Sequence, residues 1–219
     1  MPYSYLALGD SYTIGEGLPI RENFPYQTVQ LLRAAGHAFY APEIIARTGW
    51  TTDELDEALT VSRLLPAYDL VSLLIGVNNE YRGRSLAEYE AQFRVLLEKA
   101  ICYTGRSSHA PVFVLSIPDW SVSPFAGTYL PDRAGRDKMA VAAEIDAFNA
   151  AARRITEERG IEFIDITQHS RKPDIVAITE ALPGSGTPGL FVADGLHPSG
   201  NVYRYWAERL AERVRQRLT

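Results

Sequence analysis

Two short segments at opposite ends of the chain hold residue types that could do chemistry together. The first is GDSYTIGEG, residues 9–17, directly behind the apolar run SYLAL. A glycine-containing turn after a strand can cradle a phosphate with its backbone N–H groups. A serine on such a turn can instead be held as a nucleophile. The second segment is VADGLHPSG, residues 192–200, with Asp194 and His197 three apart in a Gly- and Pro-containing turn. A base for a serine hydroxyl needs a neutral imidazole nitrogen facing it. A carboxylate on the other nitrogen fixes the tautomer and stabilises the imidazolium. A DxxH turn supplies both, so Ser11, His197 and Asp194 are a candidate nucleophile, base and orienting acid. Donors for a developing oxyanion would complete the set, and backbone N–H groups and an Asn amide suit that task.

The elements that must position these residues follow from hydrophobic periodicity. Strand-like runs stand at 5–8, 43–46, 69–76, 111–117 and 161–166. DLVSLLIG, 69–76, is nearly continuous in apolar character, as in a sheet covered on both faces. Between the runs lie helical stretches: 24–35 closed by Gly36, a helix capped at Thr51 or Thr52 and running to about Arg63, one from Leu86, and one through Val141, Ile145, Phe148, Ala152 and Ile155 that stops at Gly160. A last helix follows Ser199. Strands alternating with helices predict βαβ units, hence an α/β fold of three layers around about five parallel strands. No linker, repeat or low-complexity tract divides residues 1–219, so one domain is expected. The Pro- and Gly-rich stretch 173–191 reads as a long surface loop.

In open α/β sheets, ligands bind outside the carboxyl ends of the strands. The segments leaving those ends are GDSYT, ARTGW, GVNNEYRG, PDWS and TQHS. Gly49 and Asn78 therefore stand where oxyanion donors would have to be. Trp50, Glu80, Tyr81, Arg82, Asp119 and Trp120 also follow strand ends and are candidates for lining a pocket. Each has a plainer reading: the tryptophans as packing anchors, Arg82 as the partner of Glu80. Ser11 alone could be a helix cap, His197 a turn histidine, and Gly49 a residue kept for positive φ. His169, with Asp165 and Asp174 nearby, is the rival base. His37 and His109 precede strands, at the wrong end of the sheet, and are expected to be exposed.

Taken together, GDS at 9–11, Gly49 in RTGW, GVNN at 76–79 and DGLHP at 194–198 resemble the four blocks of the SGNH hydrolases of the GDSL type, in that family's order and across essentially the whole chain. The resemblance implies a flavodoxin-like α/β/α sandwich and an esterase without metal or organic cofactor. It implies Ser11 as nucleophile, His197 as base and Asp194 as its orienting partner. The oxyanion hole would be the N–H groups of Ser11 and Gly49 with the Asn78 side chain. One position departs: where the family block usually reads Gly-x-Asn-Asp, residue 79 is Asn. There is no GxSxG, so the α/β-hydrolase elbow is not the device here. The phosphate-loop reading is weaker, because the loop carries Asp10 and Glu16 and leaves DGLHPS unexplained. A binding module with an inactive site is the other alternative, although every required residue type is present.

Composition excludes several classes. Net charge is −5 and the pI about 5.4, which does not favour nucleic acid. The arginines of the last helix (Arg204, Arg209, Arg213, Arg215, Arg217) alternate with Glu208 and Glu212, as on a solvated face, while Trp206, Leu210 and Val214 recur every four residues and dock. No apolar run approaches the ~18 residues of a membrane span. The single cysteine, Cys102, ends a helical apolar pattern and is expected to be buried. The lone cysteine fits a reducing compartment, and the first strand begins almost at Met1, so a cytoplasmic protein acting on a small-molecule ester is expected. The pocket would be set by loops 12–25, 80–85, 119–136 and 173–193. Of these, the aromatic 119–136 is the best candidate for acyl or alcohol contacts.

Overall fold

The computed structural model describes residues 1–105, 111–130, 136–171 and 189–218. Five strands form the sheet: β1 (Tyr5–Asp10), β2 (Glu43–Arg47), β3 (Leu70–Leu74), β4 (Val112–Leu115) and β5 (Glu162–Ile164). All pair in parallel, in the order β2-β1-β3-β4-β5. Every residue of β1, β3 and β4 is buried, which is why these strands carry apolar runs rather than alternation. The edge strand β2 is only half-buried.

Helices cover both faces, giving the three-layer α/β/α sandwich. On one side α2 (Phe24–Ala34) packs on the C-terminal helix (Gly200–Arg217). On the other lie α3 (Thr52–Val61), α5 (Leu86–Cys102) and α7 (Lys138–Glu158). The expected caps are present: Thr51 and Glu54 form a capping box at α3. Trp206, Leu210 and Val214 are fully buried, and Arg213 and Arg217 reach Glu162 from the solvated side. Among the described residues, no helix is long and apolar enough to cross a membrane.

The order 2-1-3-4-5 reverses direction between β1 and β3. Flavodoxin-like sheets bind ligands at that switch point. Three short helices leave the carboxyl ends of strands: α1 (Ser11–Ile14), α4 (Val77–Tyr81) and α8 (Thr167–Arg171).

The structure corrects several expectations. The stretch 119–136 is not simply a loop: it contains a 3-10 turn, Trp120–Val122, and α6 (Pro124–Tyr129). Ser123 caps α6 by accepting from the Ala126 N–H, and Pro124 occupies its first turn, a local signal present in the sequence. Cys102 is exposed, not buried. The buried stripe of α5 runs through Leu96, Leu97 and Ala100, and two residues further the helix has turned its side chain outward. His37 is half-buried rather than exposed. His109 and almost all of the 173–191 stretch lie outside the described residues.

Candidate active site

Ser11 leaves β1 as the first residue of α1. Asp10, not Ser11, is the cap: its Oδ1 accepts from the Tyr12 N–H at 2.9 Å. The turn needs Gly9, because a Cβ there would collide with the Leu74 carbonyl of β3 and the Thr13 hydroxyl. So the small residue before Asp-Ser is imposed by sheet pairing: Gly9 sits between Ala46 and Leu74. Asp10 is fully buried. Burial pushes its carboxyl from 3.8 up to about 7, against the backbone hydrogen bonds that favour the anion.

The segment 190–199 forms a tight paired turn, with Phe191 bridging Pro198 and the Val192 N–H donating to the His197 carbonyl at 2.9 Å. Gly195 has φ +68, which favours glycine. Asp194 divides its two oxygens. Oδ1 accepts from the Leu196 and His197 N–H groups at 2.7 and 3.0 Å. Oδ2 lies 2.6 Å from His197 Nδ1. Partial burial raises this carboxyl, but the hydrogen bonds from the His197 ring and the two N–H groups outweigh it and hold it below the usual range. On the far side of the ring, His197 Nε2 lies 2.9 Å from Ser11 Oγ, across 186 residues of sequence. Both side chains are buried, and the Tyr12 ring lies against the imidazole at 5.0 Å between centroids. With its proton on Nδ1, the imidazole turns a lone pair toward the serine hydroxyl.

Gly49 and Asn78 line the same cavity as Ser11 and His197. Gly49 has φ +83. Its carbonyl accepts from Arg82 at 2.6 Å, and Arg82 also pairs with Glu54. Arg82 is therefore a clamp on the β2–α3 loop, not the partner of Glu80. The Asn78 amide donates to the Trp50 carbonyl at 3.0 Å and stands 3.5 Å from Asp10 Oδ2. Asn79 points away from the cavity. It is fully buried and binds Thr52, so here the position shapes the turn.

The cavity measures about 170 Å³ and is mostly apolar. Besides the polar groups above, Thr48, Tyr12, Val77, Tyr81, Trp120, Phe125 and Leu196 line it. The sequence gives no individual reading for Tyr12, Thr48, Val77, Phe125 or Leu196, although Tyr12 and Leu196 each adjoin a reactive residue and Phe125 lies in the aromatic stretch 119–136. Trp120 is both wall and anchor: its indole N–H donates to Glu80 at 2.7 Å. Glu80 is buried and also paired with Arg136. Burial raises its carboxyl above the ordinary range. Trp50 packs on the core and does not line the cavity. Asp119 is held by Arg171 and caps the turn at Trp120. His169 bonds the Tyr205 hydroxyl in a separate polar hollow beside β5, with Glu162 and Asp165. Ser11 is not among its lining residues.

Comparison with solved structures gives the same fold. A lipase/acylhydrolase from Enterococcus faecalis is 20% identical, with a TM-score of 0.67 over 99% of this chain and 97% of that one. A variant of Axe2, an acetyl xylan esterase from Geobacillus stearothermophilus, is 17% identical, with a TM-score of 0.67 over 97% and 94%. No curated protein is detectably similar in sequence. The model of the GDSL-like lipase/acylhydrolase family matches residues 7–216, nearly the full chain. The chain belongs to the GDSL-like lipase/acylhydrolase family and is a carboxylic ester hydrolase.

Proposed function

We propose that the chain is a serine esterase working through an acyl-enzyme on Ser11. The observation that carries this reading is the paired contact of His197, 2.9 Å to Ser11 Oγ and 2.6 Å to Asp194 Oδ2. Ser11 Oγ attacks the ester carbonyl and forms an Oγ–C bond as His197 Nε2 takes its proton. The oxyanion is held by the N–H groups of Ser11 and Gly49 and by the Asn78 amide. The C–O bond to the alcohol then breaks, and His197 delivers the proton to the leaving oxygen. Water adds to the acyl carbon, again giving a proton to His197, and the Oγ–C bond breaks with that proton returned to Ser11. Asp194 holds the ring and balances the imidazolium. The Trp50 carbonyl orients the Asn78 amide, and Arg82 braces the loop that carries Gly49. No organic cofactor or metal is needed for any step.

A phosphate-binding use of the same loop finds no Lys or Arg among the residues lining the cavity and has Glu16 beside Thr48 at its rim. The test is hydrolysis of p-nitrophenyl esters with Ser11→Ala beside wild type, and labelling of the intact protein by a fluorophosphonate. Wild type should be labelled once, at Ser11, and the variant should lose both labelling and turnover. A Ser11→Ala protein that still turns over substrate refutes the assignment.

A further inference from the structure

This inference rests on the serine esterase reading and concerns what lies beside the scissile bond. Three rings of the cavity lining, Tyr81, Trp120 and Phe125, form one wall, and Tyr129 packs against them. Phe125 and Tyr129 stack at 5.0 Å, Tyr129 lies 5.3 Å from Tyr81, and Tyr81 meets Trp120 at 5.5 Å and 70°. The wall is set before any ligand arrives. Trp120 is only 2% exposed and is tied through its N–H to the buried Glu80. Arg136 pairs with the same carboxylate and lies 5.8 Å from the Trp120 ring centre. The Phe125 N–H donates at 3.0 Å to the Gly195 carbonyl, so α6 is fastened to the turn that carries Asp194 and His197. A rigid apolar wall spends little of its binding energy on being ordered.

The size of the space then selects what enters. An enclosed apolar cavity of about 150 Å³ holds one benzene molecule; this one measures about 170 Å³, opens to solvent and includes the space beside Ser11, Gly49, Asn78 and His197 where the ester group sits. An acetyl group would leave the aromatic wall uncovered, and a long acyl chain would extend past it into solvent. The ring faces of this wall repay the dehydration of an apolar group better than that of a sugar hydroxyl. We propose that the cavity takes one compact apolar group of the ester, a phenyl ring or a chain of about four to six carbons, and so makes this enzyme selective for short-chain or aryl esters.

The group belongs either to the acyl or to the alcohol half, and two substrate series separate them. One is p-nitrophenyl acetate, butyrate, hexanoate, decanoate and benzoate. The other is the acetates of methanol, butanol, hexanol, decanol and benzyl alcohol, with an acetylated xylo-oligosaccharide. In one series kcat/KM should rise about fourfold per methylene up to six carbons and fall at least tenfold at ten. The benzoate or benzyl ester should lie near the maximum. Phe125 is half-buried, which makes it a safe place to resize the wall. Phe125→Ala should move the optimum to longer chains and Phe125→Trp toward the smallest substrate. Fluorophosphonate titration counts active sites in each variant. An optimum at the smallest or the ten-carbon member in both series, or a maximal rate on the xylo-oligosaccharide, overturns the proposal, as does an optimum that neither variant moves. If no ester is cleaved and Ser11 is not labelled, the esterase reading fails with it; a labelled Ser11 with the wrong profile sinks only the size selection.

Discussion

Asn79 holds Thr52 at both ends of its amide. Its Oδ1 accepts from the Thr52 N–H at 3.1 Å, and its Nδ2 donates to the Thr52 hydroxyl at 2.7 Å. The hydroxyl in turn donates to Gln92 Oε1 on α5. The turn after β3 is thereby locked to the start of α3, and the loop carrying Gly49 lies between.

An aspartate at this position would be acceptor-only, so the Thr52 hydroxyl would have to donate to it and Gln92 would have to turn its NH2 inward. The charge would sit at the N-terminus of α3, which favours it. Asn79→Asp should therefore stay within about 1 kcal/mol of wild type. Asn79→Asp with Gln92→Glu removes the escape and should cost about 1–3 kcal/mol beyond the sum of the single changes. Urea unfolding of the four proteins reads the coupling, and simple additivity would show that the amides do not relay.

Asp194→Asn keeps an acceptor for the Leu196 and His197 N–H groups but removes the anion that faces His197 Nδ1. The ring loses its fixed tautomer. We expect kcat to fall by about 10²–10⁴, with unfolding little changed because the carboxylate is partly exposed. An unchanged kcat would remove Asp194 from the proposed mechanism.

Gly49→Ala tests the loop beside Ser11. Alanine at φ +83 is strained by about 1–2 kcal/mol. The nearest atom to its Cβ would be in the flexible Arg82 side chain, at 3.5 Å, so strain rather than collision is the cost. The thermal midpoint should drop by several degrees and kcat/KM with it. Arg82→Ala should lower kcat/KM while stability changes by less, since it frees the loop without straining it. Equal losses of stability in both would contradict that division.

Asp10 makes stability depend on pH. In the folded chain it keeps its proton up to about pH 7, whereas an unfolded chain releases it near pH 4. The folded state binds more protons between these values, so this contribution is full below about pH 4 and is lost as pH rises to 7. The span corresponds to about 4 kcal/mol. Asp10→Asn carries no such proton. Its unfolding free energy, subtracted from that of wild type at pH 4.5 and 8, should reveal the slope, and parallel curves would exclude it. Its NH2 would also face the Asn78 amide, so kcat/KM should fall roughly fivefold to tenfold.

Much of this was legible in the residues themselves. Continuous apolar runs mark β1 and β3 because both of their faces are buried, and Thr51 with Glu54 announces α3 because a helix start leaves N–H groups to satisfy. Asp194 and His197 are read together because one tight turn holds both. What needed the folded chain was whatever depends on distant segments meeting. The 2.9 Å contact of Ser11 with His197 spans 186 residues and exists only because the fold brings the 190–199 turn to the carboxyl end of the central strand β1. Gly9 is forced by a carbonyl of β3 that no local pattern foretells. Glu80 has Arg136 and Trp120 as partners, not Arg82, because buried charge is satisfied by whatever packing brings near. Cys102 faces out because it stands two residues past Ala100, where the helix has turned away from its buried stripe. Sequence sets local geometry and residue chemistry; which groups face each other across the cavity is settled by packing.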